Sequence, residues 1–568
     1  MAAVTLVLGA YLLYPIVILF TLSFNTSRDI LVGPAHWGFG NWTAAWRIPG
    51  LLSSLGHSFQ IWFFVALISF PVAICISLLL ARTNLPASRA IEFGFWIAFI
   101  FPGIASTLGW VMLLTPGWGL ANKLIEMLPF VEQSPLNIYN VKGIVWTKLM
   151  GDGIAFKVIL LTPAFRNMDG ALEEASRVSG ASKFGTLFRV TVPVMATPIV
   201  LVLALQLIKV FQGFETEYII GSRFNYYVYS TKIYQLVRLQ DIPQYSQAIV
   251  LASVTLVIIG IIIPIQRWIS NRRPYTTVSS SFRPGLMDLG RWRWPTFGIL
   301  SGLLFMLTVL PAAVLVFGSF MARVGFFNTN PLWTTRHWHA VLGDPTFLDA
   351  LRTTLVIALV AGVLSPIIFS VLAYMIVRTK WRGRVILDTV IWASAVMPGL
   401  LLGLGMLLMF LKTPGLSALF GTVWVLLIVV VIAGTTTGVN VLKGVLVQLG
   451  NSLEEAGRVS GASWLTTYFR IVVPVLMPSM VLVGMLSFVS AANMTSGIVL
   501  LASRDTRTLS ILALELGGSA SGHVEQAGIV SLVILVMSLS IALPIRRLAL
   551  KLSIRHDIKL DPAEANHT

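Results

Sequence analysis

The residues with most chemistry to offer form one stretch that the chain contains twice. Glu173 to Met195, EEASRVSGASKFGTLFRVTVPVM, returns as Glu454 to Leu476, EEAGRVSGASWLTTYFRIVVPVL, with 15 of 23 positions identical at a constant offset of 281. Each copy opens on two carboxylates, Glu173 and Glu174 or Glu454 and Glu455, followed by Ala175 or Ala456. Carboxylates in a first turn favour the positive end of a helix. Gly180 or Gly461 then permits a sharp turn into a second helical piece. Pro193 or Pro474 suits the first turn of the helix that follows. The block is therefore predicted to be a helix-turn-helix knuckle, a shape suited to gripping a partner and transmitting a push. Two knuckles with nearly identical surfaces imply one partner used twice.

Further candidates lie inside apolar runs, where ionisable groups are costly and default to function. Lys148 and Asp152 stand four apart, a spacing that predicts a self-satisfying pair on one helix face. Lys209, Glu215 and Glu217 share a run with Gln212, Thr216 and Tyr218, while the second half has Ser490, Asn493, Thr495 and Ser496 at the equivalent places. Glu215 and Glu217 fall toward the outer end of that run, so interfacial water is a second account of them. Tyr226, Tyr227 and Tyr229 read as an interfacial aromatic belt. Trp96, Pro102, Gly103 and Gly109 match Trp392, Pro398, Gly399 and Gly405 at an offset of 296. A proline there removes a backbone hydrogen bond in mid-membrane, which is tolerated only against protein or a cavity. These positions are candidates to line a pathway, with a packing kink as the other account. There is no phosphate-loop pattern, metal-ligand spacing or nucleophile elbow, so no catalytic residue, cofactor or ATP hydrolysis is expected of this chain.

The elements that must position these residues are membrane helices. Of 568 residues 56% are hydrophobic and 11% charged, against about a quarter charged in a soluble domain. Twelve stretches are long enough to span, each needing about 20 residues: 3 to 24, 58 to 81, 91 to 113, 141 to 165, 196 to 220, 247 to 266, 296 to 320, 354 to 377, 386 to 410, 422 to 442, 477 to 502 and 525 to 545. The first lacks the charged start of a cleaved signal and reads as a retained helix. With the amino terminus inside, the predicted cytoplasmic segments hold 24 Lys and Arg against 12 on the other side. That bias supports the orientation and explains the net charge of +17 without nucleic acid. The only cysteine, Cys75, lies in an apolar run as a small core residue, which excludes an internal disulfide framework.

The offsets make the repeat whole-half. It drops from 296 to 281 because the loop Thr115 to Asn140 is longer than Leu411 to Phe420. The expected fold class is an all-α polytopic membrane protein of about 12 transmembrane helices as two tandem six-helix repeats. Residues 1–266 form the first half, with its loop at 166–195. A basic linker, 267–294, follows, and 295–568 form the second half, with its loop at 443–476.

The pattern Glu174-Ala175-Ser176, Gly180, Val190, Val192, Pro193 and its copy Glu455-Ala456-Gly457, Gly461, Ile471, Val473, Pro474 resembles the cytoplasmic "EAA" loop of type I ATP-binding-cassette importer permeases. The departure is a small residue, Ser176 or Gly457, in place of the motif's second Ala. The resemblance implies that both loops dock on ATPase subunits, two copies in all, which hydrolyse the ATP. It further implies an external substrate-binding protein and residence in the inner membrane of a bacterium. Within that family the fused halves, with Phe211 to Glu217, Gly221 and Thr231 to Tyr234, look like the ferric-iron branch, whose hard ion would suit carboxylate and phenolate oxygens. Polyamine, thiamine, sulfate and phosphonate permeases share the loop. A secondary transporter of the major facilitator type also has two parallel six-span halves, but needs no duplicated docking loop.

Overall fold

The computed structural model describes residues 2–27, 34–129, 133–168, 171–209, 211–271, 287–394, 397–449, 452–518 and 522–560. The linker's 272–286 lie outside the described residues. Among the described residues the regular elements are helices, and extended backbone pairs only at isolated bridges.

Seven helices are long and apolar enough to cross a membrane: Leu51–Arg82, Tyr245–Ile262, Gly290–Phe320, Pro345–Arg378, Val423–Gln448, Trp464–Asn493 and Val524–Ala549. The other expected spans are shorter or interrupted, and proline or glycine explains the clearest breaks. Ser88–Ile100 and Gly103–Leu114 meet at 92°, because Pro102 adopts an extended ψ of 129° and has no amide hydrogen to continue the first helix. In the second copy Arg384–Ser394 and Gly399–Lys412 are separate helices, with Pro398 at ψ 151°. The expected single spans at 91–113 and 386–410 are thus each two pieces. The run at 141–165 is divided by the wider turn Leu149–Gly153, inside which Gly151 leaves helical geometry at φ −90°, ψ −125°. The run at 196–220 stops at Lys209, and the backbone is non-helical over Phe211–Phe214.

The repeat is visible in the packing. Trp42 Nε1 donates to Ser23 Oγ (3.2 Å) and Trp338 Nε1 to Ser319 Oγ (3.1 Å). The bridges Asn25 with Trp37 and Met321 with Trp333 recur at the same offset of 296. The first helix of each half packs on the third of the other. A Cβ on Gly109 would lie 2.8 Å from Pro311, and one on Gly405 would lie 2.9 Å from Pro15. Only glycine lets these backbones approach so closely, so the two halves interlock at two equivalent points. Gly109 and Gly405 therefore serve helix packing; neither lines the cavity described below.

Outward faces are apolar. On Leu51–Arg82, Phe63, Phe64, Leu67 and Ile68 are all exposed, a patch too large for a monomeric surface in water and suited to lipid. Cys75, expected in the core, is exposed on the same helix. Of the tyrosines expected as an interfacial belt, Tyr226 and Tyr229 instead pack inward, while Tyr227 is half-buried. Tyr226 stacks on His57 at 3.9 Å, and Tyr229 is fully buried edge-on to Phe211.

Candidate functional site

Each duplicated block folds as a knuckle. The helices Ala171–Val178 and Ser452–Val459 end at Gly180 (φ +87°) and Gly461 (φ +80°). There the amides close a Schellman pattern. Gly180 N donates to Arg177 O (2.9 Å) and Ala181 N to Ser176 O (3.1 Å), while Gly461 N donates to Arg458 O and Ala462 N to Gly457 O, both at 3.0 Å. Ser463 then caps the second short helix by accepting from Thr466 N. Pro193 and Pro474 sit at the start of the next helical pieces.

Glu174, Ala175, Glu455 and Ala456 are exposed, and Val178 and Val459, each at a helix end, are both 89% exposed. Glu173 and Glu454, expected on the same surface, are buried instead. Glu173 Oε2 meets Arg82 Nη2 at 2.8 Å, and Glu454 Oε1 meets Arg378 Nε at 3.0 Å. Sequence reasoning missed both arginines by counting them as cytoplasmic charge, although 82 and 378 differ by the repeat offset of 296. The small residue of the motif is explained by its neighbour. A Cβ on Gly457 would lie 2.7 Å from Ile471 Cδ1, whereas Ser176, opposite the shorter Val190, has room to bond Thr186 Oγ1.

The second feature is a cavity of about 530 Å³ lined from both halves. The ionisable residues on its wall, Lys148, Asp152, Lys157, Lys209, Glu215 and Glu217, come from the first half, while the second half presents neutral groups such as Thr437, Ser487, Ser490 and Asn493. The expected Lys148 pair with Asp152 is replaced by a crossed arrangement. Lys148 Nζ bonds Glu217 Oε1 (3.1 Å) and Lys209 Nζ bonds Asp152 Oδ2 (2.6 Å). The reason is local: the wide turn Leu149–Gly153 and the non-helical Gly151 between them break the i,i+4 register. Gly213 makes the first pair possible, since a Cβ there would strike the Glu217 carboxylate.

Glu217 is 4% exposed, which removes the interfacial-water account of it. Its Oε2 has no hydrogen-bond partner among the described residues, and Glu215 also lines the cavity. Of the residues expected to line a pathway, Gly103, Glu215 and Glu217 do so; Pro102, Pro398 and Gly399 stand at the helix breaks, outside the wall. Lys157, buried with Nζ donating to Gly153 O (2.5 Å), is a wall residue not singled out beforehand.

With this geometry in place, comparison with known proteins is informative. Residues 366–553 match the family described as "Binding-protein-dependent transport system inner membrane component". That match supports the resemblance to type I ATP-binding-cassette importer permeases. The chain is a multi-pass inner-membrane protein. Over 383 residues it is 26% identical to the "Ferric transport system permease protein FbpB" of Actinobacillus pleuropneumoniae, covering 66% of this chain and 54% of that one. It is 24% identical to the "Probable ABC transporter permease protein y4fN" of Sinorhizobium fredii (strain NBRC 101917 / NGR234), covering 83% and 82%. To the "Putrescine transport system permease protein PotI" of Escherichia coli (strain K12) it is 30% identical, covering 28% and 61%. The alignment spans about half the length of the first of these relatives.

Proposed function

We propose that this permease forms the translocation pathway of an ATP-driven importer, with both halves, 1–266 and 295–568, enclosing the cavity and both knuckles docking cytoplasmic ATPase subunits. The observation that carries the reading is the duplicated knuckle. Two turns of the same geometry present the same carboxylate and the same bare valine, Glu174 with Val178 and Glu455 with Val459, to a partner. An exposed valine at a helix tip gains only by being covered. A flanking carboxylate selects a basic counterpart. An external binding protein would deliver the solute to the opposite face.

Ferric iron is the first candidate solute, supported by the iron-permease relatives and by the carboxylates of Glu215 and Glu217 on the cavity wall. Among the described residues no group of three or more His, Cys, Asp or Glu is placed to hold a metal. An ion would therefore pass the wall with most of its shell supplied by water or a chelator. The putrescine-permease relative keeps an organic cation as the alternative.

The test is a charge reversal at both knuckles, Glu174→Arg with Glu455→Arg. The variant should accumulate in the membrane, lose its copurifying ATPase and stop transporting. Normal copurification and uptake would refute docking through these residues. Competition of radioactive iron uptake by putrescine or sulfate then separates the solutes.

A further inference from the structure

We propose that the buried pairs Arg82–Glu173 and Arg378–Glu454 are latches through which the knuckles move the second apolar helix of each half, and that only in the first half does that latched helix itself carry residues of the cavity wall. The proposal rests on the docking reading above.

Arg82 is the last residue of Leu51–Arg82 and is fully buried. Its Nη2 holds Glu173, its Nη1 donates to Met168 O (2.9 Å), and Thr191 Oγ1 donates to the other Glu173 oxygen (2.8 Å). One ion pair thus gathers the end of one membrane helix, the exit of another, the knuckle, and the entry to the next. The second half repeats the device. Arg378 holds Glu454 and donates to Leu446 O (3.0 Å) and Leu449 O (2.6 Å), while Tyr374 OH donates to Glu454 Oε2 (2.9 Å).

Stability alone is a poor reason for this arrangement, because apolar residues of like volume can replace a buried ion pair without loss. A guanidinium fork does fix geometry. It keeps the knuckle in register with the helix end while the surrounding contacts differ between halves, Thr191 standing where the second half has Val472.

The two latched helices differ at their far ends. Ser58, Ile61, Trp62 and Val65 of Leu51–Arg82 line the cavity, whereas Pro345–Arg378 contributes none of its described wall residues. Val65 lies 17 residues from Arg82 on one continuous helix, about 25 Å at the usual rise. A displacement at the first latch therefore reaches the wall along one unbroken helix, whose interior Pro71 lies between the latch and Val65. At the second, Pro345–Arg378 brings no described residue to the wall, and the link runs instead from Arg378 through Leu446 O to the wall helix Val423–Gln448.

The experiment uses the full permease with its ATPase and binding protein in proteoliposomes. Glu173→Gln and Glu454→Gln are compared by uptake per ATP hydrolysed. Val65→Cys in a Cys75→Ala background reports the wall by its maleimide labelling with and without ATP. Glu173→Gln should assemble and hydrolyse ATP, lose at least fivefold in uptake per ATP, and abolish the nucleotide-dependent change in labelling. Glu454→Gln should keep that change. The swap Arg82→Glu with Glu173→Arg should restore part of the coupling. If Glu173→Gln fails to accumulate, Thr191→Val is the milder variant, because it removes one bond to the same carboxylate. Uptake that falls only in step with the amount of complex, or labelling that still responds to ATP in a Glu173 or Thr191 variant, would overturn the latch. A wild-type permease that neither binds nor stimulates an ATPase would instead bring down the docking reading, and this proposal with it.

Discussion

Single residues set the shape of the knuckles through two separable costs. At Gly180 and Gly461 nothing lies within 4 Å of an added Cβ, so the requirement there is the positive φ alone. Gly180→Ala should cost about 1 kcal/mol, from the left-handed backbone, and Gly180→Asn should cost less. Thermal unfolding of the purified permease measures both. At Gly457 the backbone is ordinary and the cost is contact. Gly457→Ser should destabilise by about 1–3 kcal/mol through overpacking against Ile471. Adding Ile471→Val, which recreates the Ser176 and Val190 pairing of the first half, should recover most of that loss. A double-mutant cycle showing additivity would mean that the two sites are independent.

At the scale of elements, helix breaks and helix crossings use glycine for different reasons. Gly103 begins a helix at the 92° bend and has open space where a Cβ would sit, whereas Gly109, six residues on, is pressed against Pro311. Gly103→Ala should therefore be tolerated, while Gly109→Ala and its counterpart Gly405→Ala should lower the yield of folded permease. Detergent size-exclusion profiles of the three variants check this directly. Equal tolerance at all three positions would show that the halves do not depend on these crossings.

For the whole molecule the chief feature is asymmetry between matched outer surfaces and an unmatched interior. The knuckles agree at 15 of 23 positions, yet the ionisable groups of the cavity wall come from one half. A shared ATPase partner would keep the first alike, and a solute without two-fold symmetry would let the second diverge. Glu215→Gln and Glu217→Gln should both impair uptake while basal ATP hydrolysis by the complex persists. They should differ in stability. Glu217→Gln removes the charge that pairs with Lys148 at 3.1 Å and should lower stability, whereas Glu215 is drawn into no ion pair within 4 Å among the described residues, so Glu215→Gln should leave stability closer to wild type. Thermal stability of the two variants, measured beside solute uptake, separates the effects. Uptake unchanged in Glu215→Gln would remove that carboxylate from the pathway.

The repeat, the membrane class, the knuckles with their glycine turns and the ionisable residues of the fifth run were all legible in the one-dimensional pattern. Each depends on composition, local backbone preference or fixed spacing, which neighbouring residues settle among themselves. What faces what was decided by the tertiary structure. Glu173 reads like Glu174 in sequence, but its partner Arg82 is 91 positions away, and Lys209 reaches back 57 positions to Asp152. Burial forces each charge to find an opposite one nearby in space, and chain folding chooses which one is near. For the same reason the apolar runs marked where helices could cross the membrane, while Pro102, Gly151 and the non-helical turn over Phe211–Phe214 decided where they break. Only the packing of the two halves placed Gly109 and Gly405 at crossings and left Glu215 and Glu217 facing the cavity.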